Sequence, residues 1–190
     1  NQGVTHYSRL KDVEQRCEEF AENIVFLKGK LGVPLLQMHD NFGAKDYERV
    51  ENFAENVWTC GIPIAMEFRR SEWHTDPDIS ERLYALMEKH AITNVLVDTA
   101  GRRDLMHMRL TTPTPFIRWV GANHASDFTR LDAWIERLVK WKKQGMRKLY
   151  FFIHQNVEQE SPLLAQYFVE KLNKKIGTDL HIPLTAKDVD

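Results

Sequence analysis

Across residues 11–27 the apolar residues Val13, Cys17, Phe20, Ile24 and Leu27 recur at spacings of three and four, the buried stripe of an amphipathic helix. Gly29 and Gly32 end it. The apolar run Val33-Pro34-Leu35-Leu36-Gln37-Met38, bounded by glycine and by Asp40-Asn41, then predicts a buried strand over residues 33–38. The unit repeats. Tyr47, Val50, Phe53 and Val57 share a helical face that leads through Gly61 to a strand over 62–68. After a break at Asp76-Pro77-Asp78, a helix carrying Leu83, Leu86, Met87 and His90 leads to a strand over 94–98.

The alternation lapses over residues 99–114, where Arg102, Arg103, Asp104 and Pro113 predict a long loop with at most one helical turn. It resumes with a strand over 115–120 and a long helix striped by Leu131, Trp134, Ile135, Leu138 and Trp141 and ended near Gly145. A strand over 148–153 and a helix over 163–174 close the series. Five short apolar strands interleaved with helices define an α/β chain with a parallel sheet. That sheet is either open and doubly wound or part of a closed (β/α)8 barrel. Neither G-x-G-x-x-G nor a P-loop occurs, which weakens a dinucleotide or nucleotide reading, and no cofactor is expected.

Composition adds limits. With 190 residues, 43% hydrophobic, 28% charged and 26 basic against 27 acidic side chains, the chain reads as one globular domain over 1–190. Its longest unbroken apolar stretch, 149–153, is far below the roughly 18 residues of a membrane helix. No membrane partner is expected. Cys17 and Cys60 form no C-x-x-C pair, so a reducing, cytoplasmic setting is the default. The basic run from Lys140 to Lys148 reads as a solvated helix end rather than a nucleic-acid patch.

Candidate chemistry gathers at the strand ends. Gln37, His39, Glu67, Arg69, Asp98, Arg118 and His154 all fall at or near the C-terminal end of a strand, the rim where α/β folds bind ligands. Two guanidiniums, Arg69 and Arg118, favour a bidentate anion such as phosphate or carboxylate. Glu67 or Asp98 has the chemistry of a general base, and His39 or His154 that of a general acid. Gln37 and His39 join the ligand-binding set, and Trp73, on the loop after the second strand, is placed to stack on a sugar or base. Trp119 alternates away from Arg118 and reads as core. His39, Glu67, Asp98 and His154 are metal-ligand types, but the adjacent arginines would repel a divalent ion, so no metal is expected. A bland reading stands beside these: Glu67 and Arg69 can belong to a buried ion-pair network inside a barrel that touches no ligand.

The segment Glu67-Phe68-Arg69-Arg70-Ser71-Glu72-Trp73 resembles the E-F-R-(H or R)-x-x-W stretch of the YecE-like family, a TIM-barrel domain of unknown function. Leu31-Gly32 with Leu36-Gln37, Val97-Asp98, Phe116-Ile117-Arg118 and Val4-Thr5-His6 are similar to further family segments, in order, from about residue 4 to 172. The resemblance implies a (β/α)8 barrel of which about five of eight strands are present. It also implies that the chain is the C-terminal two-thirds of a longer protein, opening at an Asn1 that is not a natural start. The family pattern R-x-H-G is Arg118-Trp119-Val120-Gly121 here, so an acid/base role for that histidine would pass to His39, His124 or His154. Three functions follow as expectations. The first is an enzyme, of hydrolase or lyase type, acting on an anionic small molecule. The second is a non-catalytic module for a phosphate-bearing small molecule or nucleic acid, and the third is a metal-dependent endonuclease- or isomerase-like barrel.

Overall fold

A computed structural model describes residues 2–185; Asn1, on which the expectation about the chain's start rests, lies outside the described residues. Five parallel strands, β1 (Leu35–Gln37), β2 (Ala65–Glu67), β3 (Thr93–Thr99), β4 (Phe116–Val120) and β5 (Tyr150–His154), lie side by side in chain order and curl into a half-barrel. Among the described residues β1 pairs only with β2, and β5 only with β4.

Alternation along each strand separates two faces. Leu36, Met66, Leu96, Ile117 and Trp119 point outward into two clusters built with the helices. The first cluster packs α1 (Glu14–Ile24), α2 (Tyr47–Asn52) and α4 (Pro77–Lys89) against β1 and β2 through Cys17, Val50, Phe53, Leu83 and Met87. The second packs α5 (Ser126–Lys143) and α6 (Ser161–Leu172) against β4 and β5 through Leu131, Trp134, Leu138, Leu164 and Phe168. Each such buried side chain contributes about 1.5–3 kcal/mol, which makes these helix stripes the main source of stability. The inner face carries a smaller apolar set, Ala65, Val95, Val97 and Phe116, joined by Leu105 from the β3–β4 loop.

Local chemistry moves several boundaries. Asp76 does not merely break the chain: its carboxylate accepts the N–H groups of Asp78 and Ile79 at 3.0 and 3.2 Å, and Pro77 follows at N1, so it starts α4. The stripe of the first helix does not run on to Leu27. After Ile24 the coil tightens to a 3-10 segment over Val25–Lys30, and the loss of the 3.6-residue period leaves Leu27 exposed. The β3–β4 connection has no α-helix, only a 3-10 turn at Arg103–Leu105, and then returns alongside β3. There Thr111 Oγ1 donates to Ile92 O at 2.6 Å and accepts from Asn94 N, while His107 Nε2 lies 3.2 Å from Val95 O. These bonds satisfy backbone groups at the start of β3 that the neighbouring strands do not reach.

Candidate functional site

The centre of the inner face is a three-residue bridge. Glu67, at the end of β2, is 2% exposed. Its Oε1 accepts from Gln37 Nε2 on β1 at 2.9 Å, and its Oε2 accepts from Arg118 Nη1 on β4 at 2.6 Å. The Glu67–Arg118 pair crosses over β3, whose inner-face residues Val95 and Val97 are short enough to pass beneath it. A buried carboxylate demands such a partner, and two opposed charges with an amide supply it. Arg118 keeps a quarter of its side chain exposed, and among the described residues its Nε and Nη2 have no protein acceptor. The guanidinium is thus oriented from one side and open on the other.

Around this bridge, Phe152 stacks on Phe116 with ring centroids 4.9 Å apart and forms an aromatic floor beside Arg118. His154 follows on the same face, half exposed, with Nδ1 3.6 Å from Glu158 Oε1. His39 meets His6 edge-on, ring centroids 5.5 Å apart, and its Nδ1 accepts from Asn41 N at 3.0 Å. Arg69 leaves β2 and pairs with Asp40 of the β1 loop, Nε to Oδ1 2.6 Å.

Two of the expected site residues stand elsewhere. Asp98 is in register with Trp119, not with Arg118, so its carboxylate points to the outer face. There it accepts from Arg130 Nη2 and Trp134 Nε1, each at 2.7 Å, and from Arg103. A general-base role beside Glu67 does not fit that placement. Trp73 is no platform for a ligand. A four-residue helix, α3 (Glu72–Thr75), turns it inward until it is 0% exposed, stacked on Phe42, with Nε1 donating to Phe42 O at 2.9 Å. Trp119 is likewise buried, with Arg130 over its ring.

Residues outside the expected set hold the far rim. Asp127, fully buried, accepts from the N–H groups of Ala122 and His124 and from Gln155 Nε2, and pairs with Arg130. Burial pushes its pKa up, yet those N–H groups, Gln155 and Arg130 outweigh burial and hold the carboxyl below its ordinary range. Gln155 also accepts from Asn123 N, and it presses so close to Gly121 that a Cβ there would collide with its amide. The visible signal was the i, i+3 pair Asp127 and Arg130 in the first turns of α5. Among the described residues no group of three or more His, Cys, Asp or Glu stands close enough to hold a metal ion.

A helix-backed, curled parallel sheet with polar side chains at its C-terminal rim defines a TIM-barrel-like α/β protein. The chain belongs to the DUF72 family, described as a protein of unknown function, whose model matches residues 1–186; YecE-like is an equivalent name. It is similar in fold to a DUF72 family protein of Thermotoga maritima MSB8, with TM-score 0.72 and 23% identity over 91% of this chain and 71% of that one. A DUF72 family protein of Enterococcus faecalis V583 aligns with TM-score 0.65 and 17% identity over 90% of this chain and 68% of that one. Comparison with curated proteins gave no match. No helix among the described residues is long and apolar enough to cross a membrane.

Proposed function

We propose that the inner rim is a ligand site for an anionic small molecule bearing a phosphate or carboxylate, with Arg118 as its principal contact. The observation that carries this reading is the one-sided engagement of Arg118: Glu67 fixes one nitrogen at 2.6 Å, and the other donors of this quarter-exposed guanidinium have no acceptor among the described residues. Glu67, too buried to meet a ligand, is then a positioning residue rather than a base. His154, exposed on the same face, is the group able to exchange a proton with a bound molecule, in a reaction of hydrolase or lyase type. The scattered placement of His39, Glu67, Asp98 and His154 gives the metal-dependent reading no support.

The test is a titration with inorganic phosphate and with a small dicarboxylate, read at the backbone amides around Arg118 and His154 by NMR. Saturable shifts that weaken roughly tenfold in Arg118→Gln, and persist in the remote Arg109→Gln, are expected. Shifts indifferent to Arg118→Gln would remove the reading. Binding without any turnover across a panel of phosphate esters would leave a recognition module, the second reading, in place of an enzyme.

The eight-stranded closure belongs to the same reading: three further strands would cover the outer edges of β1 and β5. Its support is that neither edge has a partner among the described residues, and unpaired edges are a liability that barrels remove. Fast amide exchange at Leu35–Gln37 in the 190-residue chain, slowed in a version that carries those strands, is the expected result.

A further inference from the structure

A second cationic cleft lies apart from the Arg118 bridge. It encloses about 530 Å³ and is lined by Arg9, Asn41, Gly43, Lys45, Arg70 and Glu72, none of which takes part in the Gln37–Glu67–Arg118 contacts. Three cations face one carboxylate across it, and that carboxylate is already occupied. Glu72 Oε1 accepts from Ala44 N at 2.7 Å and Oε2 lies 3.1 Å from Arg70 Nη2. The Ala44 N–H is the leading reason the Glu72 carboxyl is held below its ordinary range, followed, against the opposing effect of burial, by Arg70 and Lys45. Among the described residues Arg9 and Lys45 make no ion pair within 4 Å and no side-chain hydrogen bond.

The walls are constructed rather than incidental. A Cβ on Gly43 would collide with Glu72 Oε1 and crowd Arg70, so glycine here lets those two side chains lie against the β1 loop without shifting. On the other side, Arg9 sits with Leu10 and Asp12 in the left-handed region, at φ 49°, 63° and 50°, a conformation that L side chains rarely adopt. Leu10, buried in the main core and donating to Val4 O at 3.0 Å, and Arg16, donating to Gly3 O and Ser8 Oγ, hold that turn in place. The strained backbone presents Arg9 to the cleft.

We propose that this cleft binds a small phosphomonoester, with Arg9 and Lys45 as the unpaired charges that meet the phosphate and Arg70, fixed by Glu72, as the third. A dianion balances the excess of cations, and a space of this size falls in the range of small-molecule sites, with room for the organic part beside Asn41.

The experiment is an NMR titration of the whole 190-residue chain with inorganic phosphate and with glycerol 3-phosphate, against sodium chloride at matched ionic strength. Saturable shifts at the amides of Gly43, Ala44 and Lys45 are expected, with glycerol 3-phosphate binding the more tightly. Affinity should fall roughly tenfold in Lys45→Gln and again in Arg9→Gln, while Arg118→Gln leaves these shifts unchanged. Lys45 is exposed and in a regular backbone conformation, so its variant remains informative even if the strained Arg9 turn rearranges. Shifts that chloride reproduces, or that survive both variants, would overturn the proposal. Loss of these shifts in Arg118→Gln would merge the cleft with the inner-rim site and overturn its independence.

Discussion

Glu67 and Asp98 are both buried carboxylates near strand ends, both paired with arginine, and they stand on opposite faces of one sheet. Asp98 lies between sheet and helix, and every partner it has is a donor held by the protein: Arg130 and Trp134 from α5, and Arg103 from the β3–β4 turn. Arg130 in turn donates to Asp98 O and Val120 O, so the network joins β3, β4 and α5 into one unit. Among the described residues Glu67 is bonded by strand residues alone, Gln37 and Arg118, and that arginine stays a quarter exposed. The same ion pair therefore welds a helix to the sheet on one face and orients a cation toward open space on the other. Both terminal nitrogens of Arg130 are engaged by protein acceptors although its buried Nε is not, whereas one nitrogen of Arg118 is engaged, and this difference, not burial of the acid, sets the two pairs apart.

The sharpest way to break this contrast is Asp98→Ala. It strands the Trp134 N–H without its acceptor and removes the carboxylate that Arg130 and Arg103 share, while Arg130 keeps Asp127 and the Asp98 and Val120 carbonyls, and a loss of about 2–4 kcal/mol in urea denaturation is expected. A loss below about 1 kcal/mol would mean that solvent already serves those donors. Arg118→Ala should cost less, about 1–3 kcal/mol, because water can reach the vacated side and Gln37 still donates to Glu67. The double variant Glu67→Gln with Arg118→Met should recover at least half of that loss, since it leaves no buried charge unpaired. If Arg118→Ala destabilises as much as Asp98→Ala, the two faces do not differ in the way described.

A third test concerns acid sensitivity, which should reside on the outer face. His74 and His107 stack at 3.9 Å between α3 and the returning β3–β4 segment, with Tyr84 Oη 3.2 Å from His74 Nδ1. Burial pushes His74 down to about 3, with His107 adding to the effect, and burial lowers His107 to about 4 against the opposing Val95 carbonyl. Between the ordinary value of 6.5 and these depressed values, the unfolded chain binds protons that the folded chain does not. Stability is therefore complete above pH 6.5 and is lost as pH falls toward 4. His74→Phe keeps the ring and removes one of the two groups, so the loss over that window should shrink by about 1–2 kcal/mol in a pH series of melts. An unchanged acid limb would place the sensitivity elsewhere.

Much of the fold was legible because each element buries its own stripe. The periodicities of Leu131–Trp134–Leu138 and of Leu83–Leu86–Met87 are met in the two outer clusters, and the lapse over residues 99–114 is a connection without an α-helix. Leu27 was misread because a change from α to 3-10 geometry is invisible to a periodicity that continues through it. At the site, Gln37, Glu67 and Arg118 share a contact, and nothing in a strand of three residues announces which partner two strands away will meet it. Trp73 was misplaced for a related reason. A tryptophan after a strand reads as accessible, but one turn of helix is enough to rotate it into Phe42 and Phe68.

The sequence by itself determined that five apolar strands alternate with amphipathic helices, that Trp119 opposes Arg118 within its strand, and that the polar residues crowd the strand ends. Each of these is a local property, set by side-chain period along one element. Which face each strand's odd positions share with its neighbours was decided only by the hydrogen-bonded register, which matches Val97 to Arg118 and Asp98 to Trp119. A shift of one residue in that pairing would bring Asp98 level with Arg118. Parity belongs to a strand, but phase belongs to the sheet, and so the tertiary structure alone made Glu67 an inward anchor for Arg118 and Asp98 an outward one for α5.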